Sequence, residues 1–322
     1  MIVILDAYRY NMVMTKTHSS KGVVWIDMES PDDSEISSVL QRYNLHSLVG
    51  EELKNSTSMA KINFFKDYVL VVLTLPVRTK NESGDYIISE REIDFVIGKN
   101  FLITSRYEAV DQLEYFSKIF DANNILSKEE RTESACKLFY FMVKRFYQGM
   151  RDDLKNIEDA LVSSETRIFN GDERKMVEVL SYISRELIDF KQTARVHRDV
   201  WIDMLTHADH PVFDKDFETY IKDIENEFNR TRELITNSSE LLIDLRETNN
   251  SLLDTKQNEI IKVLTLVAFI FYPLTFIAAI FTIPASKVPF IESPSGWGVI
   301  MFIMALVAVC IWWVFKKKRW VN

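Results

Sequence analysis

The strongest constraint on this chain lies near its C-terminus, where two long stretches carry no charged residue. They are Val263 to Phe281 (VLTLVAFIFYPLTFIAAIF) and Gly296 to Phe315 (GWGVIMFIMALVAVCIWWVF). Coiled as helices, each is long enough to span the roughly 30 Å hydrocarbon core of a bilayer. Thr282 to Ser295 joins them and holds Pro284, Pro289 and Pro294, which forbid one continuous helix. So short a connection returns the chain to the side it left. Lys316, Lys317, Lys318 and Arg319 follow at once, and a basic cluster beside a span marks the cytoplasmic side. Trp297, Trp312, Trp313 and Trp320 stand near the run ends, where indoles favour the interface. A pair of buried core helices would need neither the basic cap nor spanning length. The start, Met1 to Arg9, has Asp6 early and too short an apolar run for a secretory signal. The expectation is a multi-pass protein of the inner (plasma) membrane with both termini cytoplasmic.

The remainder, Met1 to Glu259, reads as soluble and charge-rich. The net charge of −8 carries no basic footprint of the kind nucleic-acid binding requires, so no such partner is expected. Cys136 sits in a charged helical segment and Cys310 in an apolar run, a poor basis for a disulfide or a zinc site. The sequence has no Walker loop, His-Glu-X-X-His, nucleophile elbow or glycine fingerprint, so an enzyme is not expected and no cofactor is implied.

The fold class predicted is α+β, a mixed sheet with helices followed by a long stalk helix and two transmembrane helices. Residues 1–126 are read as the α/β domain. Val23 to Met28, Tyr68 to Val77, Ile87 to Ile97 and Phe101 to Ser105 are strand-like, the last two joined by a turn at Gly98, Lys99 and Asn100. A helix is expected to run through Tyr43, with Ser30 as N-cap and Pro31 at its first position. Residues 127–211 read as an antiparallel helical hairpin, Glu133 to Phe169 and Asp172 to Leu205, broken at Asn170 and Gly171. Residues 212–262 form the stalk and 263–322 the membrane hairpin. From Val212 no Pro or Gly intervenes before Pro273, so one helix of about 100 Å is expected to enter the membrane directly. His207 and His210 with Asp203 and Asp209 are read as capping or loop residues, the alternative being a metal cluster. His197, between Arg195 and Arg198, is expected at the surface.

Two helices cannot enclose a wet path through lipid, because every polar group there must be covered. Conduction would require a ring of copies. Heptads counted from Asn258 give Ile261, Thr265, Ala268, Tyr272, Thr275, Ala279 and Thr282, a stripe of small and hydroxyl-bearing residues. Such a stripe suits either a pore lining or plain helix packing. Backwards the count gives Asp254, Ser251, Glu247, Asp244 and Glu240. In a ring these acids would concentrate cations; alone they form a solvated face.

Asn258 to Phe281 (NEIIKVLTLVAFIFYPLTFIAAIF) closely resembles the CorA family of divalent-cation channels. That family shows Asn-Glu-X-Met-Lys-Val-Leu-Thr and then Pro-Leu-Thr-Phe-Ile-Ala-Gly. Phe315 to Trp320 (FKKKRW) is similar to its basic terminus, Trp297-Gly298 to the start of its second membrane helix, and Trp25-Ile26-Asp27 to an early strand. The resemblance implies a funnel-shaped homopentamer whose first membrane helix lines the pore. Asn258 would be the inner Asn ring, Thr275 the hydroxyl ring, and Ile261 and Leu264 the hydrophobic constriction. Tyr272 replaces a family Met. It also implies closure by intracellular metal bound between subunits, with Asp223 on the stalk and Glu82 or Asp85 opposite.

One departure stands out. The family ends its first membrane helix in Tyr-Gly-Met-Asn, whose Asn ring meets hydrated Mg²⁺; here Phe281, Thr282, Ile283 and Pro284 stand there. Mg²⁺ keeps its water shell and is held through oxygen groups, which proline's side chain lacks. The resemblance therefore implies inward transport of Mg²⁺ or a related divalent ion, as substrate and regulatory ligand, with altered selectivity. The alternative is a CorA-like membrane scaffold that senses metal or binds partners without conducting.

Overall fold

A run such as Tyr68 to Val77, apolar except at Thr74, can be a strand only where both faces of its sheet are covered. The computed structural model of the protein has that arrangement. It describes residues 14–20, 22–57, 59–80, 86–108, 110, 113, 115–118, 134–282 and 296–317. A six-stranded sheet is built from β1 (Met14–Ser20), β2 (Val23–Glu29), β3 (Lys61–Phe64), β4 (Tyr68–Lys80), β5 (Tyr86–Gly98) and β6 (Phe101–Arg106). Its order is β1-β2-β6-β5-β4-β3, antiparallel throughout except for the parallel pair β2 and β6. The mixed sheet and the helices that follow match the expected class.

One face is covered by α1 (Asp33–Tyr43) and α2 (Ser47–Lys54), whose Ile36, Val39, Val49 and Leu53 pack with Ile26, Met28, Leu70, Val72, Val96 and Ile103. The other is covered by α3 (Ala135–Phe169) and α4 (Glu173–Thr206), where Phe95 meets Phe139 edge-on with ring centroids 5.2 Å apart. Pro76, which has no N–H for a ladder, lies beyond the reach of β3, which pairs only with Val69 to Val72. Gly98 serves a close approach: a Cβ there would stand 2.1 Å from the Phe101 ring.

Two expectations need correcting. The cap of α1 is Asp32, which accepts from the backbone N–H of Ser34 and Glu35 while Glu35 returns a bond to the Asp32 N–H. Ser30 is instead held at φ +47° with its hydroxyl donating 2.7 Å to the Tyr107 carbonyl, so the chain turns before the helix begins. His197 is not at the surface. It lies 1% exposed beneath the sheet, 2.8 Å from the Thr74 carbonyl and 2.9 Å from the Tyr147 hydroxyl. The flanking arginines point out because helix neighbours diverge by about 100°. Strands β1 and β3 and helix α2 were not anticipated.

The chain divides into two units, Met1–Arg246 and Glu247–Asn322. One helix, α5 (Phe217–Thr282), contributes to both, and α6 (Gly296–Lys317) completes the second. In the first unit α5 buries Phe217, Ile221, Ile224, Phe228, Thr231, Ile235, Ser238, Leu242 and Leu245, alternating three- and four-residue steps. That is the seven-residue repeat of coiled-coil packing.

Candidate functional site: the α5 stripe and its acids

In the second unit α5 runs apolar from Val263. Of its half-buried residues, Leu266, Ile270, Pro273, Leu274 and Ile277 share one side. At 100° per residue, the stripe of Ile261, Thr265, Ala268, Tyr272, Thr275 and Ala279 lies on the opposite side. Of these, Thr265 and Ala268 are half-buried while Ile261, Tyr272, Thr275 and Ala279 are exposed, Tyr272 at 74%. Leu264, beside the stripe, is 68% exposed and Asn258, a turn before the apolar run, is exposed too. α6 touches α5 elsewhere, through Phe315 edge-on to Phe269 at 6.2 Å.

The polar groups of the stripe have defined roles. Thr265 donates its hydroxyl hydrogen to the Ile261 carbonyl at 2.7 Å, and Thr275 donates to Phe271 at 2.8 Å. Such back-bonding satisfies the hydroxyl hydrogen within the helix, at the cost of a slight bend. Pro273 has no N–H to give the Phe269 carbonyl, a second local weakening of the helix ladder.

Upstream on α5, Glu240, Asp244, Glu247 and Asp254 are all exposed. Glu240 and Asp244 fall on the side of α5 away from its packed Leu242 and Leu245. Asp223 sits differently. Its carboxylate accepts from Lys144 Nζ and from the Tyr140 hydroxyl, both at 2.7 Å, on α3. The bond from Lys144, then that from Tyr140, hold the Asp223 carboxyl below its ordinary range, and the same pairing raises Lys144. One turn on, Glu227 is paired with Arg151 and with Arg230 at 3.2 Å. Lys144 and Tyr140 were not singled out from sequence, although their i, i+4 spacing on a helix could have suggested a shared partner. No group of three or more metal-ligating side chains forms among the described residues, and His207 and His210 serve the turn after α4: His207 Nδ1 meets the Asp203 carbonyl at 2.9 Å, and His210 Nδ1 accepts from the Val212 N–H. Glu82, Asp85, Ile283 and Pro284 lie outside the described residues, as does the side chain of Thr282, the last residue of α5.

The Trp25-Ile26-Asp27 segment sits inside the sheet. Trp25 Nε1 donates 3.0 Å to Thr104, Thr104 donates 2.8 Å to Asp27, and Arg106 reaches the other Asp27 oxygen at 2.9 Å. Burial pushes the Asp27 carboxyl up, and Arg106 opposes it. Its role is to fix β2 against β6.

Residues 20–317 match the model of the family described as CorA-like Mg²⁺ transporter protein. The chain belongs to that family. It is 24% identical over 302 residues to the cobalt/magnesium transport protein CorA of Thermotoga maritima, covering 94% of this chain and 84% of that one. It is 21% identical over 305 residues to the CorA of Methanocaldococcus jannaschii, covering 93% and 92%. The solved structure of the complete CorA magnesium transporter from M. jannaschii superposes with a TM-score of 0.79 at 20% identity, covering 93% of this chain and 92% of that one. The CorA fold thus extends over both units described above.

Proposed function

We propose that the chain assembles as a homopentamer in the inner (plasma) membrane, both termini cytoplasmic, and passes divalent cations inward. Mg²⁺ or a related ion is the substrate. The observation that carries this reading is the α5 stripe. A CorA-family helix continues from a soluble unit into an apolar run, and its hydroxyl-bearing side is opposite the side that holds most of its half-buried residues. Five such sides around an axis make a path that two helices of one chain cannot.

In this reading residues 1–126, 127–211 and 212–262 are the cytoplasmic domain, hairpin and stalk, and 263–322 the membrane hairpin. Glu240, Asp244, Glu247 and Asp254 become rings that draw cations to the inner opening. Asn258, Thr265 and Thr275 contact hydrated ions, Ala268, Ala279 and Thr282 keep the path wide, and Ile261, Leu264 and Tyr272 narrow it. The membrane potential contributes about 2.3 kcal/mol per charge per 100 mV to inward movement. Thr282, Ile283 and Pro284 replace the family's mouth and alter selectivity among divalent ions. Asp223, with Glu82 or Asp85 of a neighbouring copy, senses internal metal once Lys144 is displaced.

Ion uptake into proteoliposomes tests the reading. Uptake of Mg²⁺, Co²⁺ or Zn²⁺ that changes on Asn258→Ala and Tyr272→Ala is expected; uptake indifferent to both counts against the stripe. The missing Gly-Met-Asn favours a second reading, a metal-sensing or partner-binding scaffold, in which planar-bilayer recordings stay silent while metal still changes the protein's conformation.

A further inference from the structure

We propose that the last turn of α6 binds anionic phospholipid headgroups in the leaflet where that helix ends, a reading that rests on α6 crossing the bilayer. Lys316 Nζ lies 5.0 Å from the centroid of the Trp312 ring and Lys317 Nζ 5.2 Å from that of Trp313. The two pairs have the same i, i+4 spacing and form side-by-side ladders. Both indoles are open, 49% and 58% exposed, and both lysines are exposed. Phe315 between them is 8% exposed and meets Phe269 of α5, so it marks the protein-facing side. At 100° per residue the ladders lie roughly 60–200° around α6 from Phe315, facing outward.

The charge is unbalanced. α6 carries no acidic residue, and neither lysine meets a carboxylate among the described residues. An ammonium laid along an indole keeps N–H donors free on its outer side, where a phosphate oxygen fits. The indole itself favours the boundary between acyl chain and headgroup. Val309 and Val314 beside the ladders are 63% and 44% exposed and offer apolar surface to an acyl chain. A free phosphate would use the ammonium groups alone; a phospholipid uses both halves of each ladder.

Native mass spectrometry of the purified full-length protein, with phosphatidylglycerol or phosphatidylcholine added, tests this without requiring transport. The wild type should retain phosphatidylglycerol in preference. Each lysine near an anionic surface contributes about fivefold, so Lys316→Gln with Lys317→Gln should cut that preference about thirtyfold. Lys316→Arg with Lys317→Arg should keep it. Trp312→Leu with Trp313→Leu should lower it, and inorganic phosphate should not displace the lipid. An assembled glutamine pair that keeps the full preference, or displacement by inorganic phosphate, overturns the proposal. If the glutamine pair does not assemble, each single substitution should lower the preference about fivefold, and single variants that leave it unchanged overturn the proposal equally. Because the readout is lipid retained, a protein that passes no ions still decides it.

Discussion

His197 shows how one side chain ties the sheet to the hairpin. Its two nitrogens are both engaged: Nε2 with the Thr74 carbonyl, which can only accept, and Nδ1 with the Tyr147 hydroxyl. The ring is therefore neutral with its proton on Nε2, and Tyr147 donates to Nδ1 while accepting from Trp201 Nε1 at 2.8 Å. Burial lowers the His197 pKa to about 4. The unfolded chain, with a His pKa near 6.5, binds more protons between those values, so stability is present above about pH 6.5 and is lost as pH falls toward 4. The loss should reach on the order of 2 kcal/mol by pH 5. Thermal melting of the wild type should show it, and His197→Gln should melt with a flatter pH profile between 7 and 5. Tyr147→Phe leaves the Trp201 N–H buried without its acceptor and should cost about 1–3 kcal/mol at any pH in that range. At Asp223 the half-buried, solvent-screened pair with Lys144 contributes little to stability. Lys144→Gln removes the cation from that carboxylate and leaves the Tyr140 bond, and Mg²⁺ should then protect the protein from trypsin at lower concentration than it protects the wild type. Equal protection would mean that Asp223 does not meet the metal.

Elements were legible where their periodicity was strong. The helices α3 and α4 fall within about two residues of their expected ends because Asn170 and Gly171 break an unmistakable apolar repeat. The long helix was legible for want of any breaker. Short elements were not. β3 has four residues, and its exposed Asn63 hides the pattern; β1 is an edge strand of polar residues, Met14 to Ser20, held by its register with β2. Such strands exist because a neighbour supplies their hydrogen bonds, which local composition does not record. The stripe on α5 was likewise visible as a seven-residue count, whereas the Lys144 and Tyr140 partners of Asp223 come from another helix and needed the fold. The β5–β6 turn gives an element-scale prediction. In Gly98→Ala the new methyl must displace the Phe101 ring, and the denaturation midpoint should drop by about 1–3 kcal/mol equivalent. Phe101→Leu in the same background should recover part of it.

For the molecule as a whole, the proposed assembly turns on the long helix α5. A 66-residue helix is about 100 Å long and is not stable on its own. Its first part has partners within the chain; its later, apolar part leaves Tyr272, Phe276 and Leu264 open. Multi-angle light scattering in detergent should report five copies, and a monomer in detergent and lipid alike would end the transport reading.

In the proposed pore, the back-bonded threonines carry a consequence for the sign of the ion. With their hydrogens turned to Ile261 and Phe271, Thr265 and Thr275 offer neighbours only lone pairs. Water around a metal ion points its oxygens inward and its hydrogens outward, whereas water around chloride presents the reverse. In the proposed pore, these two hydroxyl positions thus welcome the shell of one and are a poor match for the other, before any full charge is involved.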